Sequence, residues 1–123
     1  MNVRLKRAYE PASAEDGYRV LVDRLWPRGV SKEQAKLDAW DQELAPSSEL
    51  REWFGHEPDR FPEFRRRYID ELRAYGPSLR ELRRRARTGT LTLVYAAQDR
   101  EYNDAVVLAE VLRRGLPKSD GSR

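Results

Sequence analysis

The pattern of apolar and polar residues predicts strands in several short segments. Apolar and polar residues alternate over Asn2–Arg7, which is the two-residue period of a half-buried strand. The apolar clusters in residues 19–25 and 91–96 predict two more strands, and the second is apolar enough to lie in the centre of a sheet with both faces covered. Residues 37–45 indicate a further, less regular strand that ends at Pro46.

Helix-end signals predict two short helices between these strands. Residues 31–34, Ser-Lys-Glu-Gln, have the form of a capping box, in which the Ser and Gln side chains satisfy free backbone groups at a helix start. Ser47 or Ser48 can cap a second helix that runs to Phe54, and Gly55 is placed to end it in the left-handed conformation.

Longer helices follow in the second half of the chain. A three- and four-residue spacing of apolar side chains predicts one amphipathic helix, with Phe61, Phe64, Tyr68, Ile69, Leu72 and Tyr75 on its apolar face. Gly76-Pro77 interrupts this pattern, and residues 78–87 predict a second, basic helix. Asp99 is the predicted N-cap of a last helix that ends at Gly115.

Alternating strands and helices place the chain in the α/β class. We expect a small, mostly parallel sheet of about four strands covered by helices, in a Rossmann-like three-layer arrangement. Residues 1–116 are predicted to form a single domain, and residues 117–123 a flexible tail. In such sheets ligands bind beyond the carboxyl ends of the strands. Residues 23–31 and 96–103 each follow a predicted strand, so we expect both to open on the same edge.

Composition narrows the class of protein. The chain has 123 residues, the size of one domain, and contains no cysteine, so disulfide and thiolate chemistry are excluded. It has no export signal and no apolar run long enough to span a membrane, and we expect a cytoplasmic protein. The net charge is only +3, but residues 60–87 hold 10 basic and 4 acidic residues. Arg outnumbers Lys 20 to 4, which phosphate recognition could explain, although the codon usage of a GC-rich genome is the favoured explanation.

The loop from Asp23 to Lys32 is the strongest candidate for a ligand site. It places three cations, Arg24, Arg28 and Lys32, beside a predicted helix start, where free N–H groups and the helix dipole favour an anion. Trp26 would provide an apolar contact for the same ligand. The alternative is that the two arginines pair with nearby aspartates, at positions 23, 38 or 41, while Trp26 fills the core.

A second candidate segment follows the central strand. Asp99 is a candidate base or hydroxyl-orienting group, and Asn103 can reach a ligand or brace the loop. His56, the only histidine, is the natural candidate for proton transfer, although a histidine just after a helix end often serves as a capping group. The candidate acid and base groups are thus Asp23, His56 and Asp99. A zinc site is not predicted, because the several histidine or cysteine ligands that zinc needs are lacking, and no sequence feature supports the alternative of a carboxylate-bound magnesium ion.

Familiar nucleotide-binding and acyl-transfer motifs are absent from the sequence. The phosphate loop, the dinucleotide-binding glycine fingerprint and the nucleophile elbow do not occur. The arginine clusters at residues 65–67 and 83–87 could follow a nucleic-acid backbone, but acidic residues interleave with them and favour a solvated helix face.

Several motifs together resemble a known family. Residues 16–29 read DGYRVLVDRLWPRG, and LAPS at 44–47, WFGH at 53–56 and YAA at 95–97 follow in order, with Asp99 and Asn103 after them. This combination resembles the bacterial YeaO-like proteins of the domain-of-unknown-function family 488. The resemblance implies a compact cytoplasmic α/β fold without a settled substrate, cofactor or reaction. It also implies a shared pocket at the motif positions, among them Trp53. Relatives often carry a histidine where this chain has Tyr102.

These observations leave three hypotheses for function. The first is an enzyme or binding protein for a small anionic ligand, phosphate- or nucleotide-like, held by Arg24, Arg28 and Lys32 against Trp26. The second is a nucleic-acid-binding module that uses the basic helices around Arg65 and Arg84. The third is a regulatory domain without catalysis. Neither the cofactor nor the oligomeric state follows from the sequence.

Overall fold

A four-stranded, all-parallel sheet forms the centre of the computed structural model, which describes residues 1–118. The strands are β1 (Asn2–Arg7), β2 (Tyr18–Leu21), β3 (Ala39–Trp40) and β4 (Thr90–Tyr95), in the spatial order β1-β4-β2-β3. The α/β class and the parallel sheet are thus confirmed. Most of the predicted tail, residues 119–123, lies outside the described residues.

The central position of β4 follows from its sequence. It pairs with β1 on one side, with Val3 opposite Leu91, and with β2 on the other, with Val20 opposite Leu93. All residues of β4 after Thr90 are buried, as expected for a parallel strand that is covered on both faces.

Residues 1–118 contain five α-helices, which lie around the sheet. Their bounds are α1 Lys32–Ala35, α2 Ser48–Phe54, α3 Phe61–Leu72, α4 Gly76–Thr88 and α5 Asp104–Arg114. The helices α4 and α5 pack directly on β1 and β4, and α3 packs on α5. The apolar sides of these three helices and of the sheet form the main core, which includes Phe64, Leu79, Leu93 and Leu108.

The opposite face of the sheet is covered by a thinner layer made of α1 and the segment that precedes β2. The Asp16 carboxylate, which is fully buried, accepts hydrogen bonds from Arg19 at 2.7 Å and from Lys6 at 3.0 Å. Arg19 also donates to the carbonyl of Ala35, which attaches α1 to this face. Gly17 allows the segment before β2 to lie close to the start of β4. Its φ is +63°, and a Cβ there would lie 2.3 Å from the Thr90 carbonyl oxygen.

The local predictions differ from the structure in four places. The helix predicted from residue 78 begins at Gly76, because proline is tolerated in the first turn of a helix. The strand predicted over residues 19–25 ends at Leu21, since the chain then turns into the arginine-containing loop. The strand predicted over residues 37–45 keeps only two residues, and a 3-10 turn at Gln42–Leu44 replaces the rest. The last helix begins at Asp104 with Asn103 as its N-cap, so the prediction that Asp99 caps it is wrong.

Candidate functional site

A cavity of about 620 Å³ opens at the carboxyl ends of β2 and β4. The loops that follow these two parallel strands supply much of its wall, as the common edge of the sheet led us to expect. It contains most of the predicted site residues, namely Asp23, Arg24, Trp26, Arg28, His56, Asp99 and Asn103. Its volume lies in the range of small-molecule binding sites.

Two predicted site residues lie elsewhere. Lys32 is on α1 and lines a separate, smaller cavity of about 240 Å³ next to Trp26. Trp53 is on α2, where the guanidinium groups of Arg60 and Arg67 stack on its indole ring at 5.6 and 4.5 Å. Neither Lys32 nor Trp53 therefore lines the large cavity.

Arg24 fixes the wall of the cavity. Its Nε donates to the carbonyl oxygen of Pro46 at 3.1 Å, and its second nitrogen reaches the carbonyl of Ala45 at 3.4 Å. Trp26 is fixed in a similar way, because its indole N–H donates to the carbonyl of Val30 at 2.6 Å. The half-buried side chain of Arg24 thus joins the loop after β2 to the segment before α2. It forms no ion pair with an aspartate within residues 1–118.

Arg28 and Arg51 are exposed cations at the rim of the cavity. Neither forms an ion pair with any residue in the range 1–118. The sequence singled out Arg28 but missed Arg51, which α2 directs to the cavity one helical turn before Phe54. No motif pointed to Arg51, since its role depends on how α2 lies against the sheet edge.

His56 reaches the cavity because the chain reverses after α2. Gly55 ends the helix in the left-handed region, and His56 follows with a φ of +58°. Its exposed imidazole lies 6.1 Å from the ring of Phe54, which forms part of the cavity wall. The site therefore has three positively charged or titratable groups at its rim.

Two carboxyl groups lie farther inside the cavity, where both residues are half-buried. Asp23 Oδ2 accepts from the backbone N–H of Ala96 at 2.7 Å, and Asp104 Oδ1 accepts from that of Ala105 at 2.9 Å. The two carboxyls are also hydrogen-bonded to each other. Burial raises the pKa of both, and the Asp23 charge raises that of Asp104 well above its usual range. Asp104 is thus the more readily protonated of the two carboxyl groups.

Sequence reasoning missed Asp104 as a site residue. It lies directly after the predicted Asn103, at the first position of α5, where a carboxylate ordinarily interacts with the helix dipole. Only the position of α5 against the end of β2 brings it to Asp23.

Asp99 and Asn103 stabilise the loop that enters α5. The Asp99 carboxylate accepts from the N–H groups of Glu101 and Tyr102, at 2.8 and 2.9 Å, and these bonds lower its pKa. The buried Asn103 accepts from Val106 N–H and donates to the Asp99 carbonyl. The Asp99 carboxylate is thus held ionised by backbone donors, which makes it a weak base.

The arginines of the basic helices are largely neutralised by their own neighbours. Glu63 pairs with Arg66 and Arg67 on α3, and these bonds lower its pKa to about 2. Glu81 pairs with Arg84 and Arg85 in the same manner on α4. Residues 1–118 contain no cluster of three potential metal ligands, and none of their helices is both long and apolar enough to cross a membrane.

Comparison with known proteins identifies relatives along the whole chain. Residues 2–123 match the family model described as the inactive DUF488-N3 subclade. The chain is 46% identical to the uncharacterised protein YeaO of Escherichia coli (strain K12), an alignment that covers 92% of this chain and 98% of the relative. It is 44% identical to the uncharacterised protein Rv3073c of Mycobacterium tuberculosis, over 89% of this chain and 92% of the relative. No solved structure is significantly similar to the chain.

Proposed function

This chain belongs to the YeaO-like family of DUF488 proteins, and from that premise we propose that it binds a small anionic ligand, phosphate- or nucleotide-like, without transforming it. The ligand would occupy the 620 Å³ cavity beyond β2 and β4. The anionic group would lie between Arg28 and Arg51, with Trp26 and Phe54 as apolar walls.

The observation that carries this proposal is the pair of arginines at the rim of a partly apolar cavity, neither of which forms an ion pair within residues 1–118. A guanidinium without an internal acceptor has all its donors available to an oxyanion, and such charge-assisted hydrogen bonds are about twice as strong as neutral ones. His56 adds a third donor at the same rim.

Binding without catalysis is favoured over an enzyme because the matching family model is described as inactive. Among the predicted acid and base groups, Asp99 is a poor general base, since the backbone donors that hold its carboxylate lower its pKa.

Nucleic-acid binding is less favoured, because the helical arginines that suggested it are already paired. Four of them share the carboxylates of Glu63 and Glu81 within their own helices. Contact of these four arginines with a phosphate backbone would have to compete with these bonds.

Isothermal titration calorimetry with inorganic phosphate and with a nucleoside monophosphate tests the proposal. The double variant Arg28→Ala/Arg51→Ala should weaken binding at least about tenfold, since a hydrogen bond to a charged group contributes about 1.5–3 kcal/mol. Arg80→Ala/Arg87→Ala is the matched control, because it removes two exposed arginines of α4 that do not line the cavity. Equal affinities for the two double variants, or no binding by the unmodified protein, would refute the proposal.

A further inference from the structure

Charge is distributed unevenly along the cavity. The cations Arg28 and Arg51 are exposed at its rim beside the imidazole of His56, whereas Asp23 and Asp104 are half-buried on its inner wall. An anionic group that entered fully would face the two carboxyls, and like charges repel strongly where water is scarce. The anionic end of a ligand is therefore restricted to the rim.

The two carboxyls are held in fixed positions by separate elements. Asp23 follows β2 and is oriented by the N–H of Ala96 at the end of β4, while Asp104 opens α5 and is oriented by the N–H of Ala105. A carboxylate accepts up to about four hydrogen bonds, and a carboxyl group that keeps its proton still accepts on its carbonyl oxygen. After their mutual bond and the two backbone bonds, the pair retains acceptor capacity on the cavity side.

We infer that the cavity selects a dipolar ligand, with an anionic group at Arg28 and Arg51 and hydrogen-bond donors at its other end that contact the Asp23–Asp104 pair. This inference rests on the proposed anion site and adds the chemistry of the ligand's second end. The donors are hydroxyl or amino groups, as in a sugar phosphate or an amino-alkyl phosphate. A phosphate that carries only an alkyl group would offer the two carboxyl groups no hydrogen-bond donor.

Three small phosphates distinguish these cases in titrations with the unmodified protein. Methyl phosphate has no donor at its far end, ribose 5-phosphate offers hydroxyls, and phosphoethanolamine offers an ammonium group. We expect at least one of the two donor-bearing compounds to bind about tenfold or more tightly than methyl phosphate, because hydrogen bonds to charged groups are the strong ones. Which one binds tighter identifies hydroxyl or amino recognition.

Variants of the pair test whether the preference arises there. Asp104→Ala removes the carboxyl group from this side of the pair, and it should reduce the preference for the donor-bearing compound to about threefold or less. Asp23→Asn is the second variant, in case the first does not fold. Asp70→Asn is the matched control, since Asp70 is an exposed carboxylate on α3 outside the cavity.

The outcomes separate this inference from the proposal on which it rests. If all three phosphates bind with equal affinity, or if the carboxyl variants leave the preference unchanged, the inference is overturned while the anion site stands. If none of the three binds, the anion site itself is overturned. A preference that survives Asp70→Asn but is lost in Asp104→Ala or Asp23→Asn supports the assignment.

Discussion

The arginines that line the cavity should separate into one structural residue and two free ones. Arg24 donates to the carbonyls of Pro46 and Ala45, at 3.1 and 3.4 Å, and so holds the two walls together. Arg28 and Arg51 form no ion pair within residues 1–118. Replacing each with methionine keeps most of the apolar stem and removes the guanidinium group.

The expected loss at Arg24 follows from its two hydrogen bonds. Bonds from a charged donor contribute about 1.5–3 kcal/mol each, but the longer one lies near the limit of a hydrogen bond and the side chain is only half-buried. We therefore expect a loss of about 1–2 kcal/mol. At about 4 °C per kcal/mol for a domain of this size, Arg24→Met should lower the Tm by roughly 4–8 °C.

Thermal unfolding of the three single variants provides the comparison. Arg28→Met and Arg51→Met should change the free energy of unfolding by less than about 0.5 kcal/mol, or roughly 2 °C in Tm, because exposed residues without partners contribute little. A Tm for Arg24→Met within 2 °C of the unmodified protein would refute its structural role. An equal loss in the other two variants would refute their description as free cations.

Three further predictions concern the remaining charged groups. Asp16→Asn should cost about 3–5 kcal/mol in urea unfolding at neutral pH, because it breaks a buried ion pair. Burial opposes ionisation of Asp16, but bonds from Lys6 and others outweigh it and hold its pKa below 3.8, so this stability is lost as the pH falls through that lowered pKa. The raised pKa of Asp104 stabilises the fold at low pH, and this contribution is lost as the pH rises through that pKa. The free energy of unfolding of Asp104→Asn should therefore rise relative to that of the unmodified protein from acidic to alkaline pH. A pH-independent difference between the two proteins would refute this expectation. Duplex DNA at low salt should show no steeply salt-dependent binding in fluorescence anisotropy, and a steep dependence would restore the nucleic-acid hypothesis.

Much of the fold could be predicted from local patterns. The alternation at Asn2–Arg7 predicted β1 with its observed bounds, and the capping box predicted α1 from Ser31. Where the pattern offered two equivalent signals, prediction was weaker. Asp99 and Asn103 are both good N-cap residues, and the packing of α5 on β1 and β4 decides that the helix starts after the second.

The candidate site was predictable only in part. Because the carboxyl ends of parallel strands lie at one edge of the sheet, the loop that contains Arg28 and the loop that contains Asp99 were predicted to lie close together. Both loops line the cavity, since they follow strands that are adjacent in the sheet. Arg51 and Asp104 belong to helices, and their approach to that edge depends on helix placement, which no short sequence pattern encodes. For the same reason, Lys32 was predicted beside Arg28 but lies on α1, next to a different cavity.

Two-dimensional NMR of the arginine Nε–H groups during a titration with inorganic phosphate tests whether Arg28 and Arg51 bind an anion. Arg66 and Arg84 serve as reference residues, because both are paired within their own helices. We expect saturable shifts of the Arg28 and Arg51 signals and little change in the two reference signals. Unchanged signals of Arg28 and Arg51 at saturating phosphate, or larger shifts at the helical arginines, would refute anion binding at the rim.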